Sequence, residues 1–154
     1  MTKGPTMLTR PRWTHIAIPS SDLARSIEFY GKVTPLVVVH RHQDAMGETV
    51  WLSNPEQVVD PFVLVIAMFY SERGHLQPTL APFAHIGIEV PSRDDIDSVA
   101  EVGRTLGCLS WEPQDMPDPI GYICALKDPD GNVIEFSHNQ KVFSTVQELW
   151  GTGS

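Results

Sequence analysis

Two short stretches of the chain, HIAIPS at 15–20 and HIGIEVPS at 85–92, alternate aliphatic and polar or small residues in the same order. Alternation with a period of two is the mark of a strand with one covered face. In the first stretch Ile16 and Ile18 share a face and His15 and Ala17 share the other. In the second, Ile86, Ile88 and Val90 oppose His85, Gly87 and Glu89. After each stretch the apolar spacing changes to a helical one. Leu23, Ile27 and Tyr30 recur at i, i+4, i+7, and Ile96, Val99, Ala100 and Gly103 recur at i, i+3, i+4, i+7. Ser20 or Ser21, and Ser92, are expected to cap these helices, with acidic residues in the first turn. Three strand-like runs follow each helix, at 35–42, 48–53 and 62–69, then at 109–112, 122–127 and 132–137. The turn sequence Asp-Pro-Asp-Gly at 128–131 makes the last two a hairpin. The tail, 142–150, has the spacing of a short amphipathic helix.

Laid over itself with an offset of 70 positions, the chain therefore reads as β-α-β-β-β twice. The expectation is an α+β fold and one domain over 1–154. It comprises a first module at about 13–70, a linker at 71–82, a second module at about 83–140 and a tail at 141–154. A chain of 154 residues can bury a core without staples.

Composition narrows the partners. The formal charge of −8 opposes binding to nucleic acid or an anionic membrane surface, and the apolar run at 61–70 is too short to span a bilayer. Cys108 and Cys124 have no metal-type spacing, and the N-terminal stretch lacks the apolar core of a secretory signal. A reduced, cytoplasmic protein that binds a small molecule is expected.

Candidate chemistry follows from strand parity. If Ile134 and Phe136 pack on a helix, Glu135 and Ser137 lie on the opposite face, where a carboxylate between two large apolar residues needs positive compensation. Two neutral imidazoles, His15 and His85, with Glu135 form the donor set of a three-ligand divalent metal site with open positions, serving Fe, Mn, Zn or Ni. The repeat places Val65 where the first half would carry a matching carboxylate, so no fourth protein ligand is expected. Histidines that bind metal must be neutral, so activity is expected to fall as pH drops through their titration. His40 and His42 share one face of the second strand, as acid/base candidates or as exposed strand positions. Tyr122 and Cys124 have the parity to neighbour Glu135 under a simple hairpin register, with Tyr122 a catalytic candidate. His75 is a weaker candidate, His138 reads as structural, and Trp51, Trp111 and Trp150 read as core or dimer-contact aromatics.

The stretches HIAIPSSDLARSIEFY, HIGIEVPS and KDPDGNVIEF resemble the vicinal oxygen chelate superfamily, which includes glyoxalase I, extradiol dioxygenases, methylmalonyl-CoA epimerase and the fosfomycin and bleomycin resistance proteins. The resemblance covers about 13–140. It implies two modules forming a cupped, incomplete barrel, metal ligands at His15, His85 and Glu135, and a homodimer that sometimes exchanges modules. Glyoxalase I and the epimerase usually show a fourth protein ligand where this chain has Val65. Fosfomycin transferases carry a threonine where it has Ala17, and extradiol enzymes a tyrosine where it has Ala125. The ligand count favours a dioxygenase-type oxidoreductase acting on a small vicinally oxygenated compound. The alternatives are a non-catalytic drug- or metabolite-binding protein and a glyoxalase-like lyase or isomerase.

Overall fold

The computed structural model describes residues 14–71 and 79–151. His75 and most of the expected linker lie outside them. The first half contributes β1 (His15–Pro19), α1 (Leu23–Val33), β2 (Val37–Gln43), β3 (Gly47–Ser53) and β4 (Val63–Phe69). The second contributes β5 (His85–Glu89), α2 (Arg93–Leu106), β6 (Leu109–Met116), β7 (Gly121–Lys127) and β8 (Val133–His138), and α3 (Val142–Trp150) follows. The fold is α+β, as expected. Each half forms its own four-stranded mixed sheet, in the orders β1-β4-β3-β2 and β5-β8-β7-β6, and the sheets do not close into a barrel.

The repeat holds at the level of single residue pairs. β1 runs parallel to β4 with His15 opposite Val63 and Ala17 opposite Val65; β5 runs parallel to β8 with His85 opposite Val133 and Gly87 opposite Glu135. Carried across both sheets, these registers align Ala17, Val65, Trp51 and His40 in one row and Gly87, Glu135, Ala125 and Trp111 in its counterpart. The alternate residues form the cores. Ile18, Leu64, Ile66, Val50 and Leu52 are buried in the first half with Leu23, Phe29 and Tyr30 of α1. Ile134, Phe136, Cys124 and Leu126 are buried in the second with Ile96 and Ala100 of α2. Full burial of such aliphatic or aromatic side chains contributes about 1.5–3 kcal/mol each.

Local chemistry sets the helix ends. Ser92 caps α2 as expected, its side chain accepting from the Asp95 amide. Asp22, not Ser20 or Ser21, caps α1, accepting from the Arg25 amide at 3.1 Å. Ser20 instead turns inward, sharing a hydrogen bond with Ser26 at 2.7 Å and accepting from the Asp22 amide. Gly107 stops α2 in the left-handed region, at φ 70°, where a side chain would be strained.

A buried polar clasp joins the halves. The Tyr30 hydroxyl on α1 donates to Asp128 Oδ2 at 2.8 Å, and Asp128 also accepts from the Asn132 side chain and from the Asn132 and Asp130 amides. The Ser21 amide donates to Asp130 Oδ1 at 2.9 Å. The turn signal at 128–131 thus does two jobs: it closes the β7–β8 hairpin and receives the first module's helix.

Candidate functional site

Glu135 sits mid-strand on the face of the second sheet that the helices do not cover, with its side chain only 8% exposed. Its Oε2 lies 3.6 Å from His85 Nε2. That separation exceeds a hydrogen bond. His85 Nδ1 meets the Phe83 carbonyl at 2.5 Å. A carbonyl can only accept, so Nδ1 carries a proton and Nε2 is the ring nitrogen that faces Glu135. Fixing one ring nitrogen through a backbone carbonyl is how a metal-ligating imidazole is held in its tautomer. The ring is also fixed by two edge-on aromatic contacts, to Phe83 at 5.6 Å and Trp111 at 5.5 Å. Beside the pair, a side chain at Gly87 would meet nothing within 4 Å, so open space adjoins both groups.

Gln140, just beyond β8, donates from Nε2 to Glu135 Oε1 at 3.1 Å and accepts from Ser137 Oγ at 3.4 Å. This leaves Oε2 turned toward His85. Sequence reasoning missed Gln140 and the Phe83 carbonyl; neither a loop glutamine nor a backbone oxygen has any periodic signature. Outer-shell partners of metal ligands are worth about 10–100-fold in affinity. Gln140→Ala is accordingly expected to weaken divalent-metal binding by about tenfold or more. Isothermal titration of the variant checks it.

The third expected ligand lies elsewhere. His15 is exposed and its Nδ1 pairs with Thr14 Oγ1 at 2.8 Å. Among the described residues no three His, Cys, Asp or Glu side chains form a group that could hold a metal. One chain therefore brings His85 and Glu135 together and leaves His15 apart, although β1 and β5 present both histidines at equivalent positions. His85 and Glu135 would offer two donors to a divalent ion, and no third joins them among the described residues.

The secondary candidates separate from this pair. His40 does share a face with His42, and it packs against Trp51 at 4.9 Å. Three strand spacings, about 14 Å, divide its strand from β1. Tyr122 does not neighbour Glu135: it pairs with His138, while Ala125 stands opposite Glu135. Its ring faces α2, where its hydroxyl donates to Asp97 Oδ1 at 2.6 Å and the Arg93 guanidinium sits 3.7 Å above the ring. The Asp97 hydrogen bond, with some burial, raises the pKa of the Tyr122 phenol above its ordinary value. Cys124 shares this helix-covered face; burial pushes its thiol up to about 12, which keeps it protonated and unreactive. His138, at the end of β8, approaches the Val90 carbonyl at 3.4 Å, a structural position as expected.

Residues 12–136 match the family profile described as Glyoxalase/Bleomycin resistance protein/Dioxygenase superfamily. Uncharacterized protein PA2024 of Pseudomonas aeruginosa is 35% identical over 130 residues, spanning 84% of this chain and 90% of that protein. Among solved structures, the trypanothione-dependent glyoxalase I of Leishmania major superposes with a TM-score of 0.63 at 23% identity, covering 94% of this chain and 100% of that one. A mutant of the fosfomycin resistance protein FosX from Listeria monocytogenes, complexed with Mn(II) and a dihydroxypropylphosphonic acid, gives 0.64 at 16% identity, covering 90% and 99%. At these identities the structural likenesses establish the fold.

Proposed function

The chain belongs to the Glyoxalase/Bleomycin resistance protein/Dioxygenase superfamily, and from that premise we propose that it is a metal-dependent oxidoreductase of dioxygenase type acting on a small vicinally oxygenated compound. The observation that carries this reading is the register. Glu135 and Val65 occupy matching positions beside Gly87 and Ala17, so the duplicated position supplies a carboxylate once. A two-histidine, one-carboxylate set with open positions suits oxygen chemistry better than a four-ligand site suited to proton transfer.

The third donor in this reading is the His15 of a second copy, in a homodimer whose cups are each built from the first sheet of one chain and the second sheet of the other. Among the described strands, β1 and β5 are both edge strands, each with one side free to adjoin another chain. His85 and Glu135 would hold the ion from one chain, the Phe83 carbonyl fixes the imidazole's tautomer, and Gln140 orients the carboxylate. Trp111 and Phe83 pack edge-on against the imidazole. A divalent ion with open positions supplies Lewis-acid or oxygen-activating chemistry to a substrate bound through adjacent oxygens.

Cytoplasmic residence fits two unpaired thiols, and among the described residues no helix is long and apolar enough to cross a membrane. Anaerobic loading with Fe(II) followed by oxygen-uptake measurements on a panel of catechols tests the activity. Uptake that depends on iron and on His85 is expected. Tight metal binding with no uptake on any catechol would reject the oxidoreductase reading.

A further inference from the structure

A cavity of about 600 Å³ lies where the two modules meet, and it wraps the β5 edge, since Gly87 and Glu89 line it as well as Ile86 and Ile88. Its walls are Ile16 and Leu64 from the first sheet, Ile86, Ile88 and Ile134 from the second, and Tyr30 from α1. Strand parity assigns all five aliphatic residues to the helix-covered faces, while Gly87 and Glu89 belong to the face of His85 and Glu135. Close-packed interiors leave few voids larger than a water molecule. A space of 600 Å³ instead falls within the range of small-molecule sites.

The charge of the lining is one-sided. Asp60 and Glu89 are the charged residues that line the cavity, and no lysine or arginine does. Both carboxylates are exposed, and among the described residues neither makes an ion pair or a side-chain hydrogen bond. Asn54 and Gln57 add neutral polar groups on the same connection as Asp60. Aliphatic walls select an apolar body, and two unpaired carboxylates on a chain of net charge −8 select a positive head and repel an anion. We infer that this cavity is a second binding site, for an amphipathic organic cation: an apolar, ring-sized body carrying a protonated or quaternary nitrogen. It does not rest on the oxidoreductase reading.

The test is a fluorescence titration of the full chain with berberine, a cationic polycyclic dye that brightens on leaving water. N-phenyl-1-naphthylamine serves as a neutral comparator. Saturable berberine binding is expected. Ile88→Trp, which fills the cavity, is expected to weaken it by about tenfold or more, consistent with loss of an apolar site of this kind. The exposed pair of changes Asp60→Asn with Glu89→Gln, which leaves the core untouched, is expected to weaken berberine by about threefold to tenfold and to leave the neutral dye unchanged. Binding that survives His85→Ala keeps the site apart from the cup. Loss of berberine binding in His85→Ala alone, or equal affinity for both dyes with no response to the charge changes, would overturn the inference. So would a change in sedimentation mass with Ile88→Trp and no saturable dye binding, which would make the cavity a contact between copies.

Discussion

Glu135→Ala is expected to lower divalent-metal affinity by more than the about 100-fold that outer-shell losses reach, while leaving the apo-protein as stable as before or more so. Both halves of the expectation come from the same geometry. Glu135 is buried at 8% side-chain exposure; its Oε1 is held by Gln140, while its Oε2 makes no hydrogen bond among the described residues and stands 3.6 Å from His85 Nε2. A carboxylate charge held at this low exposure between Ile134 and Phe136 is a cost to folding. Removing it relieves that cost, so a group retained there is retained for binding, as at sites where function is kept at the expense of stability. Glu135→Gln separates charge from shape: it keeps a side chain of the same size but removes the charge. Competition of Zn(II) against a chromophoric chelator, beside thermal melts without metal, reads both effects. A melting point that drops by several degrees in the apo Glu135→Gln variant, with metal affinity intact, would make Glu135 a structural residue.

Asp128→Ala carries the largest expected loss of stability, about 3–5 kcal/mol. Asp128 is 5% exposed and accepts four hydrogen bonds: from the Tyr30 hydroxyl at 2.8 Å, the Asn132 side chain at 2.9 Å, and the amides of Asn132 and Asp130 at 2.8 and 3.0 Å. Deleting the carboxylate leaves those donors unpaired inside the junction. Urea unfolding measures the loss, and a change under about 1 kcal/mol would mean that water replaces the acceptor and the clasp is not rigid. The clasp also has a pH signature. Burial first, and then the Asp128 charge, hold the Tyr30 phenol well above its ordinary value. A group whose pKa is raised on folding gives stability that is whole below the unfolded value, about 10 for tyrosine. That stability is lost as pH rises beyond it, by about 1.4 kcal/mol per pH unit. The wild type is therefore expected to unfold more readily in alkali, and Tyr30→Phe to flatten that limb.

What the sequence disclosed, and what it withheld, divides along the range of the interactions. Parity of His15 and His85 was legible because it depends on alternation within five residues, and the identical registers beside Val63 and Val133 follow from the same repeat. Ser92 was legible as a cap because its acidic neighbours follow directly. At α1 two serines and an aspartate compete for one amide, and Asp22 wins it while Ser20 is drawn into the interior by Ser26. The face of Tyr122 depended on the number of residues in the turn. Five residues, 128–132, separate the paired Lys127 and Val133, so Ala125 meets Glu135 and Tyr122 is turned to α2. Gln140 acts through a loop after β8, where no periodicity exists to read. The arrangement of the modules was least legible of all. Alternation says which way His15 points within its sheet, but not which second sheet it faces, because that depends on contacts such as Tyr30 with Asp128 that lie 98 residues apart.

The central claim is that a cup takes its first histidine from one chain and its second histidine and glutamate from another. Mixing two separately inactive variants, His15→Ala and Glu135→Ala, under conditions that exchange subunits tests it most directly. In a shared cup, the mixed dimer contains one site with all three ligands and one with neither His15 nor Glu135. The prediction is recovery of tight metal binding in the mixture, at one ion per mixed dimer, where each variant alone binds weakly. No recovery after demonstrated subunit exchange would contradict it.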